Sequence, residues 1–379
     1  MGVELPGEGP PGHGRTRGEG GAPRVGFVDV AKALAILLVV FNHANALLRS
    51  AGVNSPGANL AMEACSTLRM PTFFLVSGLF VARSLQAPWR AFAWEKLARF
   101  VWLYALWSVL YLAPVAAGSA IGHVSPVAAE AHWARDSVTV NEALWYLLAL
   151  PLFFGLARLT RSMPGWVPVV GAAVVSFLFA TELVGTGLWG VDHMAIYLVF
   201  FLLGCHASLA IRRLVPAMTF VIAVALGVLW LVAGLVVTRL LPVLHPVGSA
   251  LVPYLGAPFA LSVAALLART RLARVLRWVG RNTLPVYVLH LAVLFVVVPL
   301  TAGVLAPSSV TRVAAAPLLT VVAVGVALLV WRGTRGISGL YELPGSRPRS
   351  RTAAPEPASS ERAEDPDPPM PPERSRRPA

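Results

Sequence analysis

The sequence predicts an all-α polytopic membrane protein of about ten transmembrane helices with disordered cytoplasmic tails. Of its 379 residues, 56% are hydrophobic and only 13% are charged, and the mean hydropathy is +0.69. This profile is far from that of a soluble domain, in which about a quarter of the residues are charged. The apolar residues fall into about ten stretches, each near the length of roughly 20 residues that crosses a bilayer as a helix.

Two of the predicted spans contain residues that are unusual inside a membrane. The second span contains Arg69 and Pro71, and the ninth contains Pro285 and His290, where a bend is expected. No internal repeat suggests the duplicated halves of many transporters. The predicted spans are residues 27–48, 64–82, 97–117, 143–160, 166–184, 189–210, 217–239, 248–268, 283–300 and 311–331.

The net charge of +13 is distributed as a topology signal. With the N-terminus inside, the inner loops hold thirteen basic residues, whereas the outer loops and helix ends hold four. This positive-inside bias predicts a multi-pass protein of the cell membrane with both termini in the cytoplasm. The basic residues set the orientation of the protein in the membrane and contact anionic lipid headgroups. Because these roles account for the positive charge, nucleic acid is not predicted as a partner. The inner residues are Arg83, Arg90, Lys96, Arg99, Arg158, Arg161, Arg212, Arg213, Arg269, Arg271, Arg274, Arg277 and Arg281, and the outer ones are Arg49, Arg135, Arg239 and Arg312.

The chain is predicted to have a membrane domain at residues 24–335 between two tails. Residues 1–23 are rich in Gly, Pro, Arg and Glu, and residues 336–379 are mostly Pro, Arg, Ser, Ala and acidic residues. Neither tail can bury a core, so both are expected to be disordered. The N-terminal tail lacks the apolar run of a signal peptide, so the first span is expected to be an uncleaved anchor.

Several familiar site signatures do not occur in the sequence. Cys65 and Cys205 are predicted near opposite membrane faces, which argues against a disulfide between them. No CxxC, HExxH, P-loop or GxSxG pattern is present. The sequence therefore predicts no metal site, no nucleotide cradle and no serine-hydrolase site.

One face of the first predicted span is polar at both ends. Lys32 and His43 are 11 residues apart, about three helical turns, so they share a face roughly 16 Å apart, and Asp29 lies on nearly the same stripe. Ionisable groups inside the hydrocarbon are costly and usually line a polar cavity or a reaction path. The alternative is an interfacial Asp and Lys together with a histidine that is bonded to a neighbouring helix.

These residues open a series of six sequence blocks. The run RVGFVDVAKALAILLVVFNH resembles the opening of the acyltransferase 3 family of integral membrane acyltransferases, in which an Asp is followed by Arg or Lys three residues on and by His eleven beyond. Here those residues are Asp29, Lys32 and His43. The further blocks, in family order over residues 24–331, are LRMPTFFLVSGLF (68–80), KLAR (96–99), LWYL (144–147), YLVFFLLG (197–204) and VGRNTLPVYVLH (279–290).

One departure from the family pattern concerns Lys32. Many members have Arg at this position, and Lys cannot reproduce a bidentate guanidinium contact. Lys also occurs here in members that resemble sugar O-acetylases, so we interpret Lys32 as the mark of a subfamily.

The resemblance implies transfer of an acyl group, usually acetyl, to a hydroxyl of a sugar, a cell-envelope glycan or a glycosylated small molecule. The donor is a thioester such as acetyl-CoA, which acts as a substrate, and no permanently bound cofactor is implied. His43 is the candidate general base, because a histidine with a pKa near 6.5 can deprotonate a hydroxyl at neutral pH. Arg69 is the candidate cation for the thioester oxyanion. The alternative for Arg69 is an ion pair with Glu63 at the interface.

Four charged candidates are predicted toward the cytoplasmic side. Asp29 and Lys32 either hold each other as an i,i+3 pair or help to receive the polar part of a CoA thioester. Lys96 and Arg99 are candidate anchors for CoA phosphates. Their alternative role is that of ordinary positive-inside charge in contact with lipid.

Two further residues are candidates for contact with the acceptor. His290 is either a second polar group of the cavity or a core histidine bonded to a backbone carbonyl. Asp192 either hydrogen-bonds sugar hydroxyls or is a solvated loop acid. These residues complete the set predicted to bind a small-molecule acyl donor and a carbohydrate-type acceptor.

Two other classes of protein compete with the enzyme. One is a transporter or polymer-export protein, whose intramembrane ionisable groups bind rather than react. The other is an acyltransferase-like protein that has lost activity and serves in an envelope complex. The missing repeats and the six ordered blocks favour the enzyme over the transporter, and the presence of Asp29, Lys32, His43 and Arg69 together argues against the inactive protein.

Overall fold

The computed structural model describes residues 26–81, 84–140, 143–237, 243 and 245–345. Every regular element in this part of the chain is helical, which confirms the predicted all-α class. The chain divides into a main compact unit, Met1–Pro344, and a second unit, Gly345–Ala379, of which only Gly345 is described. The predicted N-terminal tail and most of the predicted C-terminal tail lie outside the described residues.

The helices follow one another with short connections. A π-helical segment, Ala93–Ala98, joins α3 to α4, and 3₁₀ turns lie at Ser84–Gln86 and Val215–Ala217. The α-helices are α1 (Gly26–Ser50), α2 (Pro56–Val81), α3 (Trp89–Phe92), α4 (Arg99–Leu110), α5 (Leu112–Ile121), α6 (Pro126–Val138), α7 (Trp145–Leu159), α8 (Trp166–Ala180), α9 (Trp189–His206), α10 (Ser208–Leu214), α11 (Phe220–Leu235), α12 (His245–Leu267), α13 (Ala273–Arg281), α14 (Thr283–Leu305) and α15 (Ser309–Thr334).

Seven helical stretches of the described chain are long and apolar enough to cross a membrane. The bent pair Ser208–Ala217 and Phe220–Leu235, with 112° between its parts, makes eight if it is counted as one span. The helices α7 and α8 are apolar but have only 15 residues each, about 22 Å against a hydrocarbon core of roughly 30 Å. The predicted number of about ten spans therefore stays a prediction. The seven stretches are α1, α2, Trp89–Ile121, α9, α12, α14 and α15.

Two elements differ from the sequence prediction. The second span begins at Pro56 rather than at residue 64, because Ser55 accepts a hydrogen bond from the Ala58 N–H and Pro56 suits a first helical position. The helix α6 lies where no element was predicted, since its sequence has no apolar run of spanning length. It is capped by Ser125, and its Trp133 ring stacks 4.8 Å from the Tyr111 ring.

The helix α1 lies at the centre of the bundle and contacts α2, α12, α13, α14 and α15. Close helix crossings bring the other elements to it. At Gly78 of α2 and Gly204 of α9, a Cβ atom would overlap the backbone of the facing helix, at Phe201 O and Leu75 O respectively. Small residues allow such close approach of membrane helices. The crossing brings α2, which carries Arg69, next to the aromatic residues of α9, such as Tyr197.

Cysteine labelling is expected to show whether the short helix α7 crosses the membrane. Val124, before α6, and Ser162, after α7, are both exposed. In a background with Cys65 and Cys205 replaced by Ser, Val124→Cys should react with a membrane-impermeant maleimide on intact cells, as the outer position of the positive-inside topology requires. Ser162→Cys should react only after permeabilisation. Reaction of both variants on one face would exclude α7 as a span.

Candidate active site

Two histidine rings from different helices lie together in the bundle. The ring centroids of His43 on α1 and His290 on α14 are 5.3 Å apart, with 44° between the ring planes. His290 is 1% exposed, and its Nδ1 lies 3.0 Å from Val286 O and 2.7 Å from Tyr287 O. Because a carbonyl oxygen only accepts, Nδ1 carries the hydrogen, and Nε2 of the neutral ring presents a lone pair. Nε2 is buried without a hydrogen-bond partner among the described residues.

The charge of Arg69 on α2 acts on His43 of this histidine pair. Arg69 Nη1 is buried and has no hydrogen-bond partner in the described part of the chain. The charge of Arg69 acts electrostatically on His43, on His193 and on Tyr197, so these four groups form one neighbourhood. We call them, together with His290, the outer cluster. A buried guanidinium with an unused donor is costly to the fold and is ready to bind an anion or a carbonyl oxygen.

The ion pair between Arg69 and Glu63, the alternative considered from sequence, is not formed. Glu63 is exposed, and the ion pairs between described residues join Asp136 to His132 and Arg135, and Asp29 to Arg281. The guanidinium of Arg69 therefore faces the outer cluster without a carboxylate partner among these residues.

A polar cavity of about 320 Å³ lies between α1 and α2 and reaches Arg69. Its wall includes Asn42, which precedes His43 in the chain, and Asn45, whose amide donates to Asn59 Oδ1 at 2.9 Å. Asn59 in turn donates to Asn54 Oδ1 at 2.8 Å. These hydrogen bonds hold the amide side chains in the cavity wall. Their remaining oxygen and nitrogen atoms can accept hydrogen bonds from, and donate them to, a molecule that carries hydroxyl groups. Other lining residues are Arg49, Glu63 and Ser66.

An aromatic wall from α7 and α9 adjoins the outer cluster. The His193 ring lies 4.0 Å from the Trp189 ring, and His193 Nδ1 bonds Trp189 O at 2.8 Å. The Trp145 ring centroid lies 6.0 Å from that of His193 and 6.1 Å from that of Tyr197. Flat aromatic faces next to hydrogen-bonding groups suit the apolar face of a sugar ring. Trp145 and Tyr197 were not predicted as site residues, although both lie in the LWYL and YLVFFLLG blocks.

Asp192 is used within its own turn. One oxygen, Oδ1, accepts from the Thr186 N–H at 2.8 Å and from the Thr186 hydroxyl at 2.6 Å. This pattern closes the connection between α8 and α9. These contacts hold the Asp192 carboxylate within its own turn, and its charge also acts on the neighbouring His193 of the outer cluster. Its contact with an acceptor stays a prediction.

Asp29 and Lys32 lie at the other end of α1, about four and about three turns from His43 respectively. Asp29 Oδ2 accepts from Arg281 Nε at 3.1 Å, which links α1 to α13. Gly280 allows this contact, since a Cβ there would overlap Asp29 O. Lys32 Nζ lies 4.6 Å from the centroid of the Phe80 ring. The structure thus separates these two residues from the histidine pair.

Arg99 and its neighbours hold the chain segment that follows α15. Arg99 Nη2 donates to Tyr341 O at 3.2 Å, and Trp102 Nε1 donates to Gly339 O at 2.8 Å. Trp107 Nε1 donates to Leu340 O at 3.0 Å. We call residues 339–341 the docked segment. It lies within the tail predicted to be disordered from residue 336, so that prediction is wrong for these residues, because their carbonyl groups accept hydrogen bonds from α4 and the Tyr341 side chain is buried. Lys96 lies one helical turn before Arg99, in the π-helical segment.

The variant Arg99→Ala tests whether Arg99 binds the donor or only the docked segment. If its charge meets CoA phosphates, the apparent affinity for acetyl-CoA should fall, and the loss should shrink as salt rises. The matched control is Trp102→Phe, which removes another bond to the docked segment but no charge. Equal loss of donor affinity in both variants would assign Arg99 to the segment alone.

The helical bundle, with its histidine pair and a guanidinium donor that is unused among the described residues, is that of a multi-pass membrane protein with a polar cavity. Residues 25–332 match the sequence model of Acyl_transf_3, described as an acyltransferase domain. The chain therefore belongs to the acyltransferase 3 family and is a membrane acyltransferase. No curated protein and no solved structure matches it.

Proposed function

We propose that this protein is an O-acyltransferase that moves an acyl group, usually acetyl, from a CoA thioester to a hydroxyl of a carbohydrate-type acceptor. The observation that supports this most directly is the position of His43, beside His290 and within the field of Arg69. A base next to an unused cationic donor is what attack by a hydroxyl on a thioester requires.

In the proposed reaction, His43 takes the proton from the acceptor hydroxyl as its oxygen attacks the thioester carbonyl carbon. A carbon–oxygen bond forms, and negative charge collects on the carbonyl oxygen, where Arg69 Nη1 donates to it. The carbon–sulfur bond then breaks. The CoA thiolate leaves and takes the proton from His43, so the products are the acyl ester and free CoA.

His290 is proposed to orient His43 and to stabilise its protonated form. Its Nδ1–H is held by Val286 O and Tyr287 O, so only Nε2 is left to accept a hydrogen from the neighbouring ring. A base held by a third group is the general arrangement of nucleophile activation. In this proposal His290 acts through His43 and is a positioning residue.

The donor is proposed to bind from the cytoplasmic side. The basic residues Lys32, Lys96 and Arg99, together with the arginines of α13, lie toward the end of the bundle that the positive-inside rule assigns to the cytoplasm. The extended arm of CoA would then carry the thioester along α1, over roughly 16 Å, to the outer cluster. Asp29 supports this arrangement by holding Arg281 of α13.

The test is acyl transfer by the purified protein in proteoliposomes that contain labelled acetyl-CoA, with simple glycosides added outside. An acyltransferase gives labelled glycoside ester and free CoA thiol in equal amounts. A transporter moves the glycoside across the bilayer without release of CoA thiol. An inactive partner protein does neither. Uptake of unmodified glycoside without thiol release would refute the proposed function.

A further inference from the structure

A second cavity adjoins the polar one and has the opposite character. It occupies about 520 Å³ between α2, α11 and α12, and most of its wall is apolar. Trp230 Nε1 donates to Thr67 Oγ1 at 2.9 Å, so the indole N–H is satisfied and its ring forms part of the apolar wall. We call this cavity the apolar groove.

The apolar groove opens toward the lipid. Its lining residues Leu60, Leu231 and Leu235 are each 56% exposed. Exposed leucines on helices that are apolar and long enough to span a membrane, alone or as a bent pair, are typical of a lipid-facing surface. An apolar chain therefore has lateral access from the bilayer to the groove.

The apolar groove and the polar cavity lie side by side along α2. Glu63 and Ser66 of α2 line both of them, and Arg69 follows Ser66 by one helical turn on the polar side. A molecule that fills both spaces has its polar end near Arg69 and its apolar end against Trp230. The two spaces together thus match an amphiphile rather than a free sugar.

We propose that the acceptor is an amphiphile, a carbohydrate joined to an apolar chain, and that the chain lies in the apolar groove while the carbohydrate enters the polar cavity. This inference rests on the proposed function. The part of α2 that lines the groove runs from Leu60 to Thr67, about 10 Å along the helix axis, which accommodates a chain about as long as an octyl group.

Gly234 offers a way to fill the apolar groove without disturbing the fold. It lines the groove, and no atom of the described residues lies within 4 Å of a Cβ added there. Gly234→Leu should lower kcat/KM for octyl glucoside on the order of tenfold relative to methyl glucoside. Gly325→Leu is the matched control, since Gly325 is exposed on α15 with equally open space around its Cβ. The ratio of the two acceptors should not change in this variant.

Comparing the ratio of kcat/KM for octyl glucoside to that for methyl glucoside between variants removes the effect of partition into the bilayer. Octyl glucoside concentrates in any bilayer, so a wild-type preference for it is expected even without a groove. Only a change of ratio in Gly234→Leu, absent from Gly325→Leu, supports the inference. Transfer with an unchanged ratio would overturn the inference and leave the proposed function standing. Absence of transfer to every glycoside would overturn the proposed function and the inference with it.

A binding measurement separates the acceptor from ordinary lipid. An octyl glucoside with a photoreactive diazirine on its chain should label peptides of α2, α11 and α12, and Gly234→Leu should reduce that labelling. An excess of phospholipid should reduce this labelling only weakly. Equal labelling of all lipid-facing helices, or full protection by phospholipid, would overturn the assignment of the groove to the acceptor.

Discussion

His43→Gln is expected to reduce acyl transfer by about 10²–10⁴-fold, the usual contribution of a general base. Glutamine keeps polarity and approximate size next to His290 but cannot take a proton. A histidine that only fills space would tolerate Gln much better than Ala, whereas a base fails in both variants. The measurement is release of CoA thiol and formation of the acyl ester by purified protein, with membrane insertion checked for each variant.

The matched control for this experiment is His206→Gln. Like His290, His206 has a buried Nε2 that lacks a partner among the described residues, but it lies at the other end of α9 from His193. Its replacement should leave activity within about twofold of wild type, as is usual for substitutions away from a site. Near-normal activity of well-expressed His43→Gln would refute the assignment of His43 and make His290 the next base to test.

The apolar pattern predicted the helices that hold the site, because an apolar run of about 20 residues is itself the signal of a membrane-spanning helix. The helices α1, α2 and α14 each coincide with such a run. The helix α6 was not predicted, since an amphipathic helix outside the hydrocarbon has no such run. The lengths of α7 and α8, 15 residues each, could not be predicted either, because sequence patterns locate helix ends poorly. The positions of those ends decide whether each helix is long enough to cross the membrane.

Pairings between distant residues could not be read from spacing. The sequence suggested Lys32 as a partner for Asp29 through an i,i+3 contact, but the structure pairs Asp29 with Arg281 of α13. The contact between His43 and His290 likewise depends on how α1 and α14 pack. Local periodicity places a residue on a helix face, whereas tertiary packing chooses what that face meets.

The polar character of the site was predictable because it conflicts with the membrane setting. A histidine in a first span and an arginine in a second stand out against an apolar background. The aromatic wall gave no such signal, since Trp145 and Tyr197 resemble any membrane-protein aromatic until the neighbours are known. Function-bearing aromatics in membrane helices are therefore harder to recognise than ionisable residues.

The substitution Arg69→Gln is expected to reduce kcat by about 10²–10³-fold, the typical loss when a donor to an oxyanion is removed. The apparent KM for acetyl-CoA should change little, because Arg69 is assigned to the transition state rather than to the CoA phosphates. Arg69→Lys should recover only part of the rate, since an ammonium keeps the charge but not the guanidinium geometry. Arg332→Gln is the matched control and should leave kcat within about twofold of wild type, because Arg332 is an exposed arginine on α15 that does not line the cavity.

Thermal unfolding of the same variants distinguishes this role from a structural one. A buried arginine that stabilises the fold through a partner costs about 3–5 kcal/mol when it is removed. Arg69 Nη1 is buried and has no partner among the described residues, so the lost hydration of this donor opposes folding, and Arg69→Gln should leave the melting temperature unchanged or raise it. Loss of activity with retained or increased stability identifies a residue kept for chemistry. A fall in melting temperature parallel to the fall in rate would contradict the assignment of Arg69 to the oxyanion.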